Sequence, residues 1–256
     1  MERFPGVNFT VVVDYSKYHD VRIDSQLETD TLVPDVVALQ TLQDFPRWAK
    51  SGDLLPYKPA NFSKIHDSLK ENDGAWMAYS IYSFSFIYNT IALCDQIVPV
   101  TPADLVNPQW AGKIASSYPH DDDAVLFLFT RYEKVIGVGT SGGGEPIKFV
   151  TGNGTEYLSR GQRVGILSKA KHPAVANLFM NWVILEEVQM SLVSSSARTD
   201  TNTANPWEIP EGNMAVIPLF MKGRAKVEQW KQTFALYFGE VHGEPSPGIL
   251  GLHPGL

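Results

Sequence analysis

The densest chemistry in the sequence lies around residue 140, where Gly137-Val138-Gly139-Thr140-Ser141-Gly142 spells GxGxxG and Gly139-Thr140-Ser141-Gly142-Gly143 spells GxSxG. The first spacing allows a backbone to approach a pyrophosphate, and the second can set a nucleophilic serine on a sharp turn. Both need a helix straight after the turn, in one case to aim its amides at phosphate, in the other to hold the elbow. Here Glu145-Pro146-Ile147-Lys148-Phe149-Val150 follows, which reads as a turn and a strand. A flexible glycine loop is the better reading. Ser141, with His172, His242 or His253 as base, is kept as a serine-hydrolase alternative.

Two clusters could hold a metal. His120, Asp121, Asp122 and Asp123 supply hard oxygen donors, yet consecutive aspartates cannot all face one ion, and the first turn of a helix favours acids through its dipole. Tyr15, Tyr18, His19 and Asp20 combine phenolate, imidazole and carboxylate, a mixture that suits ferric iron; aromatics at a strand end are the plainer reading. The single cysteine, Cys94, excludes an intrachain disulfide and a thiolate zinc cage, and its apolar neighbours Ile91, Ala92 and Leu93 predict burial. No cofactor and no metal ligand set is assigned.

The elements that position these residues follow from periodicity. Asn8 to Asp14 (NFTVVVD) is a β-branched apolar run that predicts a buried strand, with helix formers after it from Arg22 to Leu27. Val36 to Leu39 predicts a second buried strand, followed by a helix over Leu42 to Lys50 that Gly52 stops. This order argues for an α/β architecture with a parallel sheet. Ala75 to Thr90 suits one or two long strands, and Thr101-Pro102-Ala103-Asp104 is a helix N-terminus capped by Thr101. Lys113 to Ser116 reads as a strand, the aspartate run opens a helix over Ala124 to Lys134, and Val135 to Val138 is a further strand. The strongest helical spacing runs from Ala174 to about Met190, and another helix spans Val227 to Tyr237.

With 256 residues, 44% hydrophobic and 19% charged, the chain can bury a sizeable core. A net charge of −7 leaves no basic field for nucleic acid. Charges interrupt every apolar stretch before a bilayer could be spanned, and the opening Met1-Glu2-Arg3-Phe4-Pro5-Gly6 carries no secretory signal pattern. Sequons at Asn8, Asn61 and Asn153 hint at secretion.

Taken together, the segments RFPGVNFTVVVDYS, PDVVALQTLQDFPRWAKSGDLLPYKP, FSFIYNT, TPADLVNPQWAGKIASSYP and AKHPAVANLFMNWVILEEVQ resemble the periplasmic solute-binding proteins of the ferric-iron type. The likeness covers nearly the whole chain. It implies a type II periplasmic-binding-protein-like fold: α/β, two lobes, mixed sheets with flanking helices, and an interlobe cleft. By this resemblance residues 1–82 begin lobe 1, residues 83–170 form a shortened lobe 2, and residues 171–256 return as helices to lobe 1. It implies non-catalytic binding of a small anionic or chelated-metal solute by Tyr15, Ser16, Gln40, Thr41, Tyr82 and Ser83 from one side, and by Ser116, Ser117, Tyr118, Thr140 and Ser141 from the other. It further implies a monomer, an extracellular or periplasmic setting and a membrane transporter as partner; a genuine start at Met1 would instead imply a cytoplasmic one.

Two departures qualify the resemblance. Ferric-binding members carry adjacent tyrosines where this chain has Gly139-Thr140-Ser141-Gly142-Gly143, which counts against direct iron chelation. Phe4-Pro5-Gly6 is a helix stop with almost no helix before it, and Tyr132-Glu133-Lys134 runs into Val135 with no turn residue. These junctions predict segments missing at the N-terminus and within lobe 2, and hence a further alternative, a pseudo-binding protein with no ligand.

Overall fold

The computed structural model describes residues 4–132, 139–140, 145–151, 154, 156–192 and 194–239. The first elements are α1 (Ser16–Glu28), β1 (Val36–Leu39) and α2 (Asp44–Ser51). α2 ends as expected at Gly52, whose left-handed backbone (φ 81°) costs glycine nothing and turns its N–H back onto the Ala49 and Trp48 carbonyls. β2 (Leu54–Leu55) leads through two 3-10 turns to β3 (Met77–Asn89), a single long strand, and to the one-turn α3 (Thr90–Leu93). The Thr101 cap forms a reciprocal box, with Asp104 N–H donating to Thr101 Oγ1 at 3.3 Å and Thr101 N–H to Asp104 Oδ2 at 2.8 Å. The element it opens, Pro102–Val106, is 3-10 helix.

Next come α4 (Asp123–Tyr132), β4 (Gly139–Thr140), β5 (Ile147–Val150) and β6 (Tyr157–Leu167). The described residues continue with α5 (Pro173–Val183), α6 (Glu186–Met190), β7 (Ser195–Ser196), β8 (Gly212–Asn213), α7 (Val216–Lys222) and α8 (Arg224–Phe238).

The sheet runs β1-β6-β3-β4, with β2 and β8 also on β6 and β5 and β7 also on β3. This is an α/β fold with a mixed sheet, but the expected parallel order is corrected: among the described pairs only β6 with β8 is parallel. The alternation of strands and helices along the chain is genuine. What pairs, however, is the two long strands, β3 and β6, lying antiparallel at the centre and collecting the short strands on their flanks.

Four local expectations are corrected. Asn8 to Asp14 is not a strand: it is irregular and unpaired within the sheet, with Phe9 52% and Val12 70% exposed. Phe9 stacks on Phe179 with ring centroids 5.4 Å apart. Lys113 to Ser116 is an exposed irregular segment, and Cys94 is exposed. The long helix from Ala174 breaks into α5 and α6 at Ile184 and Leu185, where Leu185 turns extended (ψ 142°) and Glu186 and Glu187 open a new first turn. The carbonyls freed there are taken up: Gln189 Nε2 donates to Val183 O at 2.7 Å, and Arg198 Nη1 to Ile184 O at 2.7 Å. The strand expected over Val135 to Val138 and the ends of the glycine loop lie outside the described residues.

Among the described residues three apolar cores lie along the two central strands. One joins Met77, Ile81, Val164 and Ile166 to α5; a second packs α1 and α2 on Trp76 and Leu167; the third gathers Phe84, Leu158, α4, α7 and α8. Leu39 packs with the second core and Leu42 lies in the third, so Gln40 and Thr41 cross from one to the other. A polar seam therefore separates two apolar bodies at this point.

Candidate ligand-binding site

The seam is built from element ends. Tyr15 occupies the position before α1, and Ser16 is its first residue, buried. Ser16 Oγ donates to Asp121 O at 3.3 Å and accepts from Asp123 N–H at 3.1 Å, so it joins the start of α1 to the start of α4. Lys17 adds an ion pair to Asp121. Asp122 caps α4, its Oδ1 accepting from Ala124 N–H at 2.9 Å and Val125 N–H at 3.0 Å. The reading of the aspartate run as a helix start is thereby borne out.

Asp122 has a second carboxylate oxygen, and Gln40 Nε2 donates to it at 3.2 Å. The carbonyl end of the same Gln40 amide accepts from Arg160 Nη2. One neutral side chain thus stands between a guanidinium and a carboxylate. Arg160, on β6, is only 3% exposed, and its Cζ lies 5.0 Å from the centre of the Phe84 ring. Its Nε and Nη1 are buried and meet no acceptor. Burial drives the Arg160 pKa down, against the opposing pull of Asp122 and Asp123.

Strand register decides which neighbours share this face. Arg160 is directly opposite Tyr82 and Ser159 is opposite Ser83. Successive side chains point to opposite faces, so Tyr82 and Phe84 lie with Arg160, whereas Ser83 lies on the other face, 3.1 Å from Ser159 Oγ. Burial, with Tyr82 beside it, pushes the Tyr79 phenol up to about 12. Two buried carboxyls border the seam. Burial raises Asp123 to about 6 despite Lys231 Nζ at 3.9 Å, and burial with the charge of Asp20 raises Asp44 to about 6.

The structure therefore brings Tyr15, Ser16, Gln40, Thr41 and Tyr82 to one seam and leaves others apart. Ser116 and Ser117 are exposed, with Ser116 Oγ donating to the Ser117 carbonyl at 3.2 Å. Tyr118 Oη donates to Gly239 O at 2.7 Å, tying its loop to the end of α8. Thr140 places its backbone opposite Phe84 in the sheet, and Ser141 lies outside the described residues. His19 and Asp20 turn to other partners, with His19 Nε2 2.8 Å from Asp14 O and Asp20 paired with Arg224 at 3.4 Å, while Lys17 Nζ stands 6.0 Å from the centre of the Tyr15 ring and 4.9 Å from that of Tyr18. Among the described residues no group of three or more His, Cys, Asp or Glu side chains could hold a metal ion.

Sequence reasoning missed Arg160, Lys17 and Lys231. Arg160 sits in Tyr157-Leu158-Ser159-Arg160-Gly161, where a charged residue flanked by serine and glycine reads as the solvent side of a strand. Only the packing of Gln40 and α4 over it shows otherwise.

Residues 33–186, more than half of the chain, match the family described as bacterial extracellular solute-binding protein. The chain belongs to that family. Its fold is the periplasmic-binding-protein-like α/β fold, and family membership means non-catalytic capture of a small solute that is passed to an ABC transporter. The chain is similar to AfuA from Actinobacillus pleuropneumoniae with exogenous fructose-6-phosphate bound, at TM-score 0.68 and 17% identity over 92% of each chain. It is similar to the periplasmic binding protein P5PA at TM-score 0.65 and 16% identity, over 85% of this chain and 88% of the other. Iron-bound HitA from Pseudomonas aeruginosa matches at TM-score 0.57 and 15% identity, over 84% of this chain and 88% of that one. No curated protein sequence matches. Among the described residues no helix is long and apolar enough to cross a membrane.

Proposed function

We propose that this solute-binding protein captures its ligand at the seam between α1, the β1 end, β3, β6 and the start of α4, without covalent chemistry. The observation that carries the reading is the convergence of buried Ser16 and Arg160 with half-buried Gln40, Tyr82 and Asp122 between two apolar cores. Ser16 and Asp122 also hold the start of α4, and polar groups converging this way can orient a polar solute once water is excluded. Ligand entry requires the start of α4 to part from α1 and Gln40, and the side-chain polar contacts to exchange among the described residues are Ser16 to Asp121 and Asp123, Lys17 to Asp121, and Gln40 to Asp122. That is the pattern expected of a closure that exchanges internal hydrogen bonds for ligand contacts.

In this reading the protein acts as a monomer outside the cytoplasm and delivers its solute to a membrane transporter. A relative with a bound sugar phosphate and one with bound iron mark the ligand classes to examine first. A thermal-shift panel of ferric citrate, sugar phosphates, phosphonates, thiamine, polyamines and neutral sugars tests it. A true ligand raises the melting point progressively with concentration, by about 2.7 kcal/mol of added stability at one hundred times its Kd. A protein that unfolds cooperatively and is shifted by none of them would refute solute binding. Covalent labelling of Ser141 by a serine-trapping reagent would favour a hydrolase instead.

A further inference from the structure

Arg160 is the feature that the fold itself does not account for. A guanidinium carries five N–H donors, and burial without acceptors is costly for any of them. Here Nη2 has the Gln40 carbonyl, while Nε and Nη1 are buried with no partner. No ion pair joins Arg160 among the described residues, even though Asp122 is one side chain away. The Gln40 amide prevents that pairing: its carbonyl end faces the guanidinium and its NH2 end faces the carboxylate, which leaves the positive charge unneutralised by direct contact. Around it stand an aromatic face, Phe84, and the directly opposite Tyr82.

We propose that Arg160 is the charge that selects the ligand: the solute is a small oxyanion, a carboxylate or a phosphate monoester, whose oxygens take up the unpartnered Nε and Nη1 donors. The proposal rests on the solute-binding reading of this seam and adds the ligand's charge class and the residue that reads it. The planar guanidinium recognises such groups by charge-assisted hydrogen bonds, and a lysine, a point charge, does so with less directional fidelity. Gln40 then acts as a spacer that keeps Arg160 available, because a carboxylate at that position would satisfy the arginine from within.

The test is isothermal titration calorimetry on the full chain with inorganic phosphate, citrate and fructose 6-phosphate, and with fructose as the uncharged counterpart. Binding is expected for at least one oxyanion and not for fructose; citrate without the phosphates, or the reverse, tells carboxylate from phosphate. Arg160→Met should weaken that oxyanion by about 30-fold or more, the loss typical of removing one partner of a desolvated charged pair, while cooperative unfolding is retained. Arg160→Lys should fall in between. If Arg160→Met does not fold, Gln40→Glu decides, since an internal carboxylate beside Arg160 should compete with the oxyanion and weaken it at least tenfold. Oxyanion binding unchanged in both Arg160→Met and Gln40→Glu would overturn the proposal while leaving solute binding intact. So would a chain that binds fructose or a cationic solute in preference to every oxyanion. A chain that binds no solute of any charge would overturn the underlying reading as well.

Discussion

Replacing Asp123 by asparagine separates the cost of burying a charge from the benefit of pairing it. The residue is 3% exposed, and burial pushes its carboxyl from 3.8 to about 6 even with Lys231 Nζ at 3.9 Å. A rise of about two pKa units corresponds to about 3 kcal/mol, at about 1.4 kcal/mol per unit. Between pH of about 4 and about 6 the folded chain keeps a proton that the unfolded chain has released, so its stability falls as pH rises through that window and is level above it. Asp44, raised to about 6 by burial and by the charge of Asp20, contributes in the same window with the same sign.

Asparagine removes the charge and leaves the Asp123 backbone N–H on Ser16 Oγ untouched. Lys231 loses its contact with Asp123 but keeps Glu228 at 3.3 Å. Allowing for that loss, Asp123→Asn should be more stable than the parent at pH 7.5 by about 1–2 kcal/mol, a few degrees in Tm for a chain of this size, and equal to it near pH 4. Urea unfolding followed by tryptophan fluorescence at half-unit steps from pH 4 to 7.5 measures both quantities. A variant that is less stable than the parent at pH 7.5, with a difference that does not change with pH, would show that Asp123 is held by its lysine and not penalised by burial.

Gly161→Ala should cost about 1–3 kcal/mol in urea unfolding, because its new Cβ would lie 2.8 Å from Leu69 Cδ2 and 2.9 Å from Ala78 Cβ at the heart of the β3–β6 pair. Asp122→Ala should lose about 1 kcal/mol through the α4 cap, and the Ala124 and Val125 amides should exchange with deuterium faster than in the parent. Val12→Thr should change stability by less than about 0.5 kcal/mol, since Val12 faces solvent; a loss of more than about 1 kcal/mol would restore the buried strand that its sequence suggests.

Much of the local structure could be read from the chain alone. β1 was legible from Val36-Val37-Ala38-Leu39, the α2 stop from Gly52, the Thr101 capping box from Thr-Pro-Ala-Asp, and the start of α4 from its aspartates, because caps and β-branched runs act over a few residues. The family was legible as well, since it rests on the order of such segments along the chain. Pairing and exposure were not. Val11-Val12-Val13 has the composition of a core strand but no strand beside it in the sheet, and composition states only what a segment could bury, not what lies next to it. Which of Tyr82 and Ser83 shares a face with Arg160 was decided by the register of β3 on β6, where one residue of slip exchanges the two faces. Arg160 became a site residue only when Gln40, 120 positions earlier in the chain, was folded against it: a buried charge is a tertiary fact, created by the atoms that exclude water from it.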